Sequence, residues 1–399
     1  MQDTPVPPFF ADLTAQERAA LFTDERLRTL PAAFATVPDP RKRRGQRYDL
    51  PFLLLCLVAA LLCDCNSLEA VGRWTRDQRT VLARVCGPRP HLSPTGSLYR
   101  RLLPRLSVAH VERALAGWVQ QTRPQRDREP LAGDGKAVRG ARTATQAAPH
   151  LLSISTHDTH ETLVQVRVDD KTNEIPVLHD LLPHLPLRGR VVTADALHTQ
   201  TALAQLLLDH HAAYLLTVKD NQPRLRAELA AYFTDQQATA RMATTVDRRR
   251  GRTETRTLRA STRLNAYLRA YFPFPGIAQI AHLTRTVRTG VRTGATTRSE
   301  TVYLITSLPP RHADPARLLT LIRGHWSVES RHWLRDVTFG EDAARLRTGA
   351  APQIMAAVRN LVITLIRRTG TTQIAAYRQH LRTHPAKALR LLVPKKPSA

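Results

Sequence analysis

"GRVVTADALHTQTALAQLLLDHHAAYLLTVK", residues 189–219, decides the fold class. Val191 to Ala194 reads as a short buried strand ended by Asp195, and "TQTALAQLLLDHH" places its apolar residues three and four apart, as a helix does. "AAYLLTVK" is a second apolar strand. Strand, helix and strand in so few residues make a parallel crossover unit, so an α/β layer is expected. In such sheets polar residues at strand ends are the ones to inspect for a site.

Working outward, "HLLSIS" and "TLVQVRVD" before this unit read as strands and "IPVLHDLLPHL" as a helix. From 236 to 300 the alternation stops. "VDRRRGRTETRTLRAS", "IAQIAHLTRTVRTG" and "VRTGATTRSETVYLITSL" are rich in Thr, Val, Ile and Arg with Gly-containing turns, which predicts inserted β-hairpins. Helix returns in "ARLLTLIRGHWSVESRHWLRDVTF" and "PQIMAAVRNLVITLIRR", and the tail "HPAKALRLLVPKKPSA" reads as weakly structured. Residues 1–125 are mainly helical, in "TAQERAALFTDERLRTL", "LPFLLLCLVAALLC", "SLEAVGRWTRDQRTVLARV" and "VAHVERALAGWVQQ". The expected division is a helical domain over 1–125, an α/β domain over 126–235 and 301–370, a basic β-rich insertion over 236–300, and a tail over 371–399.

Lys and Arg number 59 against 33 for Asp and Glu, a formal net charge of +26. That surplus predicts attraction to a polyanion, nucleic acid first. The apolar run Leu50–Cys63 is too short to cross a bilayer and lies too far in to be a signal peptide, so a buried helix in a cytoplasmic, nucleoid-associated protein is expected. Cys56, Cys63, Cys65 and Cys86 match no zinc spacing and read as free thiols.

Basic residues cluster in two places. Arg41, Lys42, Arg43 and Arg44 in "DPRKRRGQR" form either a solvated loop or an arm on phosphates. Six arginines fall between Arg248 and Arg259, among them Arg248, Arg249, Arg250 and Arg252, and the alternation of basic and Thr positions there would let a strand turn one cationic face to a phosphate backbone, a plain solvated face being the competing reading. Lys136 and Arg139 are further phosphate candidates, as are Asn221 and Gln222 in "KDNQP", for which a turn before Pro223 is the competing reading.

Three acids are candidates for chemistry. Asp134, in "LAGDGKAVRG", is either the Asp of an Asp-Gly turn or a ligand. Asp195 ends a strand, and Glu329 sits in the helix after the last predicted strand. Acids so placed can converge on Mg²⁺, a hard cation that takes carboxylates and keeps waters, and two such ions suit phosphodiester chemistry. Trp326 and Trp333, bracketing Glu329, are expected in the core, and Glu174 at a helix start. Asp336, seven residues beyond Glu329, should lie on the same helix face, either as an acid supporting the metal ligands from behind or paired with an Arg such as Arg331 or Arg335.

These stretches resemble the DDE transposases of bacterial insertion sequences, superfamily four, in the ISAs-one or H-repeat-associated branch. The likeness rests on "DPRKRRGQRYDL" with "SLEAVGRW", "GDGKAVRGAR", "HLLSISTH", "VRVDDKTNEIP", "VVTADALHTQ", "YLLTVKDNQP", "RGRTETRTL", "ETVYLITSL" and "RGHWSVESRHWLRDVTFGEDAARLRTG", in family order from about 39 to 370. It implies a ribonuclease-H-like mixed sheet flanked by helices, with Asp134, Asp195 and Glu329 as catalytic metal ligands for Mg²⁺, or Mn²⁺ in its place. It implies hydrolysis at the ends of an element and transfer of the 3′-hydroxyls to target DNA by a homodimer holding two double-stranded DNA ends. The wider superfamily's Tyr, Arg and Lys around the Glu are replaced by Ile322, His325 and Asp336. The alternatives are a catalytically silent DNA-binding protein derived from a transposase, and a general nuclease of similar fold.

Overall fold

The computed structural model describes residues 9, 13–14, 17, 24–86, 94–123, 128–168, 173–235, 240–249, 251–290 and 296–393, with the Glu329 side chain outside that description. Along the chain run α1 Leu30–Ala35, α2 Leu50–Leu62, α3 Leu68–Asp77, α4 Arg79–Cys86, α5 Gly96–Leu102 and α6 Val108–Thr122. Then come β1 Leu131–Ala137, β2 His150–Thr156, β3 Thr162–Val168, α7 Glu174–Leu181, β4 Val191–Ala194, α8 Thr201–Asp209, β5 Ala213–Val218 and α9 Pro223–Asp235. The insertion holds β6 Arg241–Arg249, β7 Arg252–Ser261, α10 Asn265–Tyr271, β8 Gln279–Thr289 and β9 Thr296–Thr306. Last are α11 Pro315–Trp333, a π-helical turn Leu334–Thr338, α12 Ala351–Arg368, α13 Ile374–Thr383 and α14 Pro385–Leu392.

Two compact units result, one of residues 1–125, 135–180 and 328–399, the other of 126–134 and 181–327. The first is mainly helical. Every residue of α2 except Pro51 is buried, as a helix apolar on all sides requires. Asp49 caps it by accepting from the Phe52 N–H at 3.3 Å, and Pro51 fits a first turn that needs no donor. Arg378 on α13 is fully buried and donates to the carbonyls of Leu61 and Thr338 at 2.9 Å and to Asn66 at 2.6 Å, with Asp64 at 3.1 Å. The tail departs from expectation here. α14 is ordered because Ala388, Leu389 and Leu392 are buried in this unit, an amphipathic pattern of three and four that the surrounding prolines obscured. The predicted helix over 14–30 falls largely outside the described residues, and its described end is a short 3₁₀ turn, Glu25–Arg28.

In the second unit the strand order is β1-β4-β5-β9-β8-β7-β6; in the first, β3-β2-β1, with the two halves of β1 belonging one to each. β1, β4 and β5 are parallel, and β2 pairs β3 antiparallel. This is the ribonuclease-H-like mixed α/β sheet expected. The insertion extends it: β9 pairs antiparallel with β5 on one side and β8 on the other, and β8, β7 and β6 form a meander. Leu258, Leu283, Val302 and Leu304 join Leu318, Leu319 and Ile322 of α11 in one core.

Candidate active site

Asp134 and Asp195 lie in the same unit, brought together by strand pairing. The β1/β4 register runs Leu131↔Val192, Ala132↔Thr193, Gly133↔Ala194, so Asp134 and Asp195 each come directly after the last paired residue of neighbouring parallel strands. Adjacent strands lie about 4.8 Å apart, which sets the two acids side by side at the carboxyl end of β4. The Asp-Gly turn reading fails: extended strand runs through both residues to Ala137. Gly135 serves close approach instead, because a Cβ there would collide with the Glu174 carboxylate and with His150 Nε2.

The chain after β4 is stitched to the chain after β5. Asp195 Oδ1 accepts from the Ala196 N–H at 2.7 Å, capping a 3₁₀ turn of Ala196–His198. Asn221 Nδ2 donates to the Ala196 carbonyl at 2.6 Å and Gln222 Nε2 to the Thr199 carbonyl at 2.9 Å. Both amides, expected at DNA or in a turn, here hold the turn that carries Asp195. Lys219 places its ammonium 3.6 Å from Asp195 Oδ1, with both side chains more than half exposed. Sequence reasoning passed over Lys219. Its signal was position, the first residue past a parallel strand neighbouring that of Asp195.

From α11, His325 reaches back to β4. Its Nδ1 lies 3.1 Å from Thr193 Oγ1, which is also 3.2 Å from the Leu131 carbonyl. Burial pushes the imidazole pKa down to about 4 against the pull of the Asp195 charge, so it is neutral at pH 7. Ile322, at the superfamily's Tyr position, is core. Glu329 stands one turn past His325 on α11, in the part belonging to the first unit, and its side chain is outside the described residues. Among the described residues, no three His, Cys, Asp or Glu side chains gather to hold a metal ion.

The first unit assembles its own charged cluster. Lys136 is 8% exposed and its Nζ lies 2.7 Å from Asp336 Oδ1, so this lysine, expected at phosphate, faces a half-buried acid. The ion-pair partner that Asp336 takes is thus Lys136, from β1. Arg331 donates to Ser155, while Arg335 and Arg359 lie 2.7 and 3.1 Å from Glu341. Burial alone would raise Glu341, yet the two guanidinium groups hold it below the usual carboxylate range. The π turn also takes Asp336 off the seven-residue alignment, since its wider winding rotates the residues beyond Trp333.

Glu174 begins α7 as expected and also lies 2.6 Å from His150 Nε2. Burial pushes the His332 pKa down to about 3, aided by Arg335, Arg331 and Lys136. Gly140 permits another close approach, because a Cβ would meet the carbonyls of Glu341, Asp342 and Ala344 at 2.5–2.7 Å. Trp333 is 58% exposed and not core, whereas Trp326 packs on the β-sheet core beneath Arg285.

The basic clusters divide by pairing. Arg41 is held by Asp39 at 2.6 Å and the Tyr48 carbonyl at 2.6 Å, while Lys42, Arg43, Arg44 and Arg139 are exposed. Arg248, Arg249 and Arg252 are exposed, and Arg250 lies outside the described residues. The face carrying Arg249, Arg252 and Arg256 also carries Asp247 and Glu254, as strand alternation demands, so it is partly neutralised: Arg256 reaches both acids at 2.6 Å, and Arg252 lies 3.3 Å from Glu254.

The parallel core β1-β4-β5, with antiparallel strands on either side and an acid directly after the paired residues of both β1 and β4, defines a ribonuclease-H-like class of fold. Comparison with known proteins gives the particular family. The model for the transposase DDE domain matches residues 126–365, and the model for the domain associated with it matches 32–119. The chain belongs to the DDE transposase family and is of the H-repeat-associated type. It is 26% identical over 343 residues to putative transposase YncI of Escherichia coli O157:H7, covering 84% of this chain and 86% of that one. With the H repeat-associated putative transposase YhhI of Escherichia coli K12 it shares 23% identity over 352 residues, 85% and 90% of the two chains. The solved piggyBac transposase synaptic complex with hairpin DNA aligns at 13% identity and TM-score 0.42, over 98% of this chain and 83% of that one. The fold assignment rests on the strand order, not on that loose likeness.

Proposed function

We propose that this chain is an active transposase that binds the terminal inverted repeats of an insertion sequence, hydrolyses the phosphodiester bonds at its ends and joins the freed 3′-hydroxyls to target DNA. The single observation that carries the reading is the placement of Asp134 and Asp195 directly after the last paired residues, Gly133 and Ala194, of adjacent parallel strands. Glu329 is assigned as the third acid by family resemblance.

The donor set suits Mg²⁺ or Mn²⁺: Asp134 and Asp195 offer hard carboxylate oxygens where the pairing of β1 with β4 stops, and Asp195 is 54% exposed. Ions held by Asp134, Asp195 and Glu329 would supply activation of the attacking oxygen and neutralisation of the leaving one. The other residues position. Asn221 and Gln222 fix the turn beneath Asp195, and neutral His325 braces β4 through Thr193 without adding a cation beside the acids. Lys219 neutralises Asp195 in the absence of a ligand and would turn to a DNA phosphate when one arrives. Lys42, Arg43, Arg44, Arg139, Arg248, Arg249 and Arg252 are the exposed cations for the backbone of double-stranded DNA. A homodimer would hold the two ends, in the cytoplasm on the nucleoid.

The test is cleavage of DNA carrying the element's terminal repeats by purified protein with Mg²⁺. Asp134→Asn should abolish cutting and leave end binding intact. Equal cutting by that variant overturns the site. End binding with no cutting by the wild type in Mg²⁺ or Mn²⁺ would support the silent DNA-binding protein instead.

A further inference from the structure

β6 is the terminal strand of its sheet and is built like an interface. Its pairing with β7 is uninterrupted from Arg241↔Ala260 to Arg249↔Arg252, without a bulge, and its sequence RMATTVDRR holds no Pro, Lys or Gly. Natural edge strands ordinarily carry bulges, Pro or charges to block pairing with another chain; β6 has neither bulge nor Pro, and its charges are of both signs, so they can pair across a two-fold axis instead of repelling. Met242 is 61% exposed and Val246 51%, two large apolar side chains on one face of this one strand.

The backbone groups it offers can be identified. The Gly251 carbonyl accepts from the Gly290 N–H at 3.1 Å, so Gly251 is directed at β8. The next residue, Arg252, therefore turns its N–H and C=O to β6, where it pairs with Arg249. By alternation Arg241, Ala243, Thr245 and Asp247 also bond inward to β7, and Met242, Thr244, Val246 and Arg248 direct their backbone groups outward.

An identical strand running antiparallel across a two-fold axis must match outward residues with outward residues. Centring on Thr244 places Met242 against Val246 twice, Arg241 against Asp247 twice, and Thr244 against itself. The exposed apolar side chains then cover each other on one face, and opposite charges meet on the other. Centring on Thr245 instead would oppose Arg241 to Arg249 and set Met242 against Arg248. Centring on Val246 leaves Asp247 facing Thr245. The charge pattern thus selects one register of self-pairing.

We propose that β6 is a homodimer interface, pairing with β6 of a second copy antiparallel about Thr244 and joining two sheets edge to edge. It gives the homodimer of the transposase reading an interface, and it stands on the strand alone, so a measurement without DNA judges it separately from cutting.

The experiment is light scattering on the full chain across a concentration series, with variants of β6. The wild type should pass from monomer to dimer mass. Thr244→Pro removes an outward N–H and no backbone bond to β7, its one loss toward β7 being the exposed hydroxyl contact to Thr257 at 3.1 Å, which Thr244→Val also removes; the proline variant should abolish the dimer with a thermal transition close to that of Thr244→Val. Arg241→Asp turns two attractions into repulsions and should weaken dimerisation about tenfold or more. Thr244→Cys should form a disulfide-linked dimer under mild oxidation, since paired positions about 5.5 Å apart are within disulfide reach. Arg248→Cys, far from its own copy in this register, should not. A wild type that stays monomeric, dimers that survive both Thr244→Pro and Arg241→Asp, or equal cross-linking at 248 would overturn the proposal.

Discussion

His325 shows how one residue couples the site to stability. Its ring is 7% exposed and carries a folded pKa of about 4 through burial, against an ordinary 6.5. Folding therefore favours the neutral form. The stabilisation is complete above about pH 6.5 and is lost as the pH falls, until near pH 4 the folded ring also takes its proton. The slope in that window is up to about 1.4 kcal/mol per pH unit for one such group. His325→Gln can keep a contact to Thr193 and cannot titrate, so urea unfolding at pH 7 and pH 5 should show a smaller acid loss than the wild type. An identical loss in both proteins would mean that other groups set the acid limb. The sequence showed His325 as a substitution in a motif; its neutrality comes from burial against β4, which no local pattern encodes.

At the scale of elements, α14 offers the clearest prediction. Leu389 is 1% exposed and sits in a helix of a tail that composition alone would leave loose. Leu389→Ala should cost about 2–5 kcal/mol in chemical denaturation, the range for emptying a buried leucine site; a change within about 0.5 kcal/mol would be that of a surface position. The strands and the long helices were legible because their periodicity is strong: β2 to β5, α2, α6, α11 and α12 all stand where apolar spacing put them. Asp195 was legible for a related reason, since it ends a short apolar strand, and the parallel register sets it beside Asp134. What stayed hidden depends on distant partners. The strand through Asp134-Gly135 reads as a turn until Glu174 and His150 explain why the glycine is there. Asp336 is aligned with position 329 only if the helix stays α, and the π turn removes that alignment. Trp333 fits the core pattern yet faces solvent.

For the whole molecule, the net charge of +26 overstates the phosphate-binding surface, because many arginines are engaged within the fold. Arg335 and Arg359 surround Glu341, Arg378 fills the first unit's core, and Arg256 is 12% exposed between Asp247 and Glu254. Lys42, Arg43 and Arg44 differ, being exposed with no acid partner among the described residues. Each phosphate contact steepens the fall of log affinity with log salt by about 0.9 on duplex DNA. Replacing these three residues with Ala should therefore flatten the slope by about 3 if all three engage the backbone, uniformly across DNA sequences, with the thermal transition unmoved. Arg256→Ala removes the same type of charge from inside a network, and should lower stability while leaving the salt slope where it was. Affinity titrations from low to physiological salt would separate the two variants. An unchanged slope in the triple variant would put the DNA on another surface, with the exposed arginines of β6 and β7 next in line, because burial and pairing rather than charge count decide which cations a phosphate can reach.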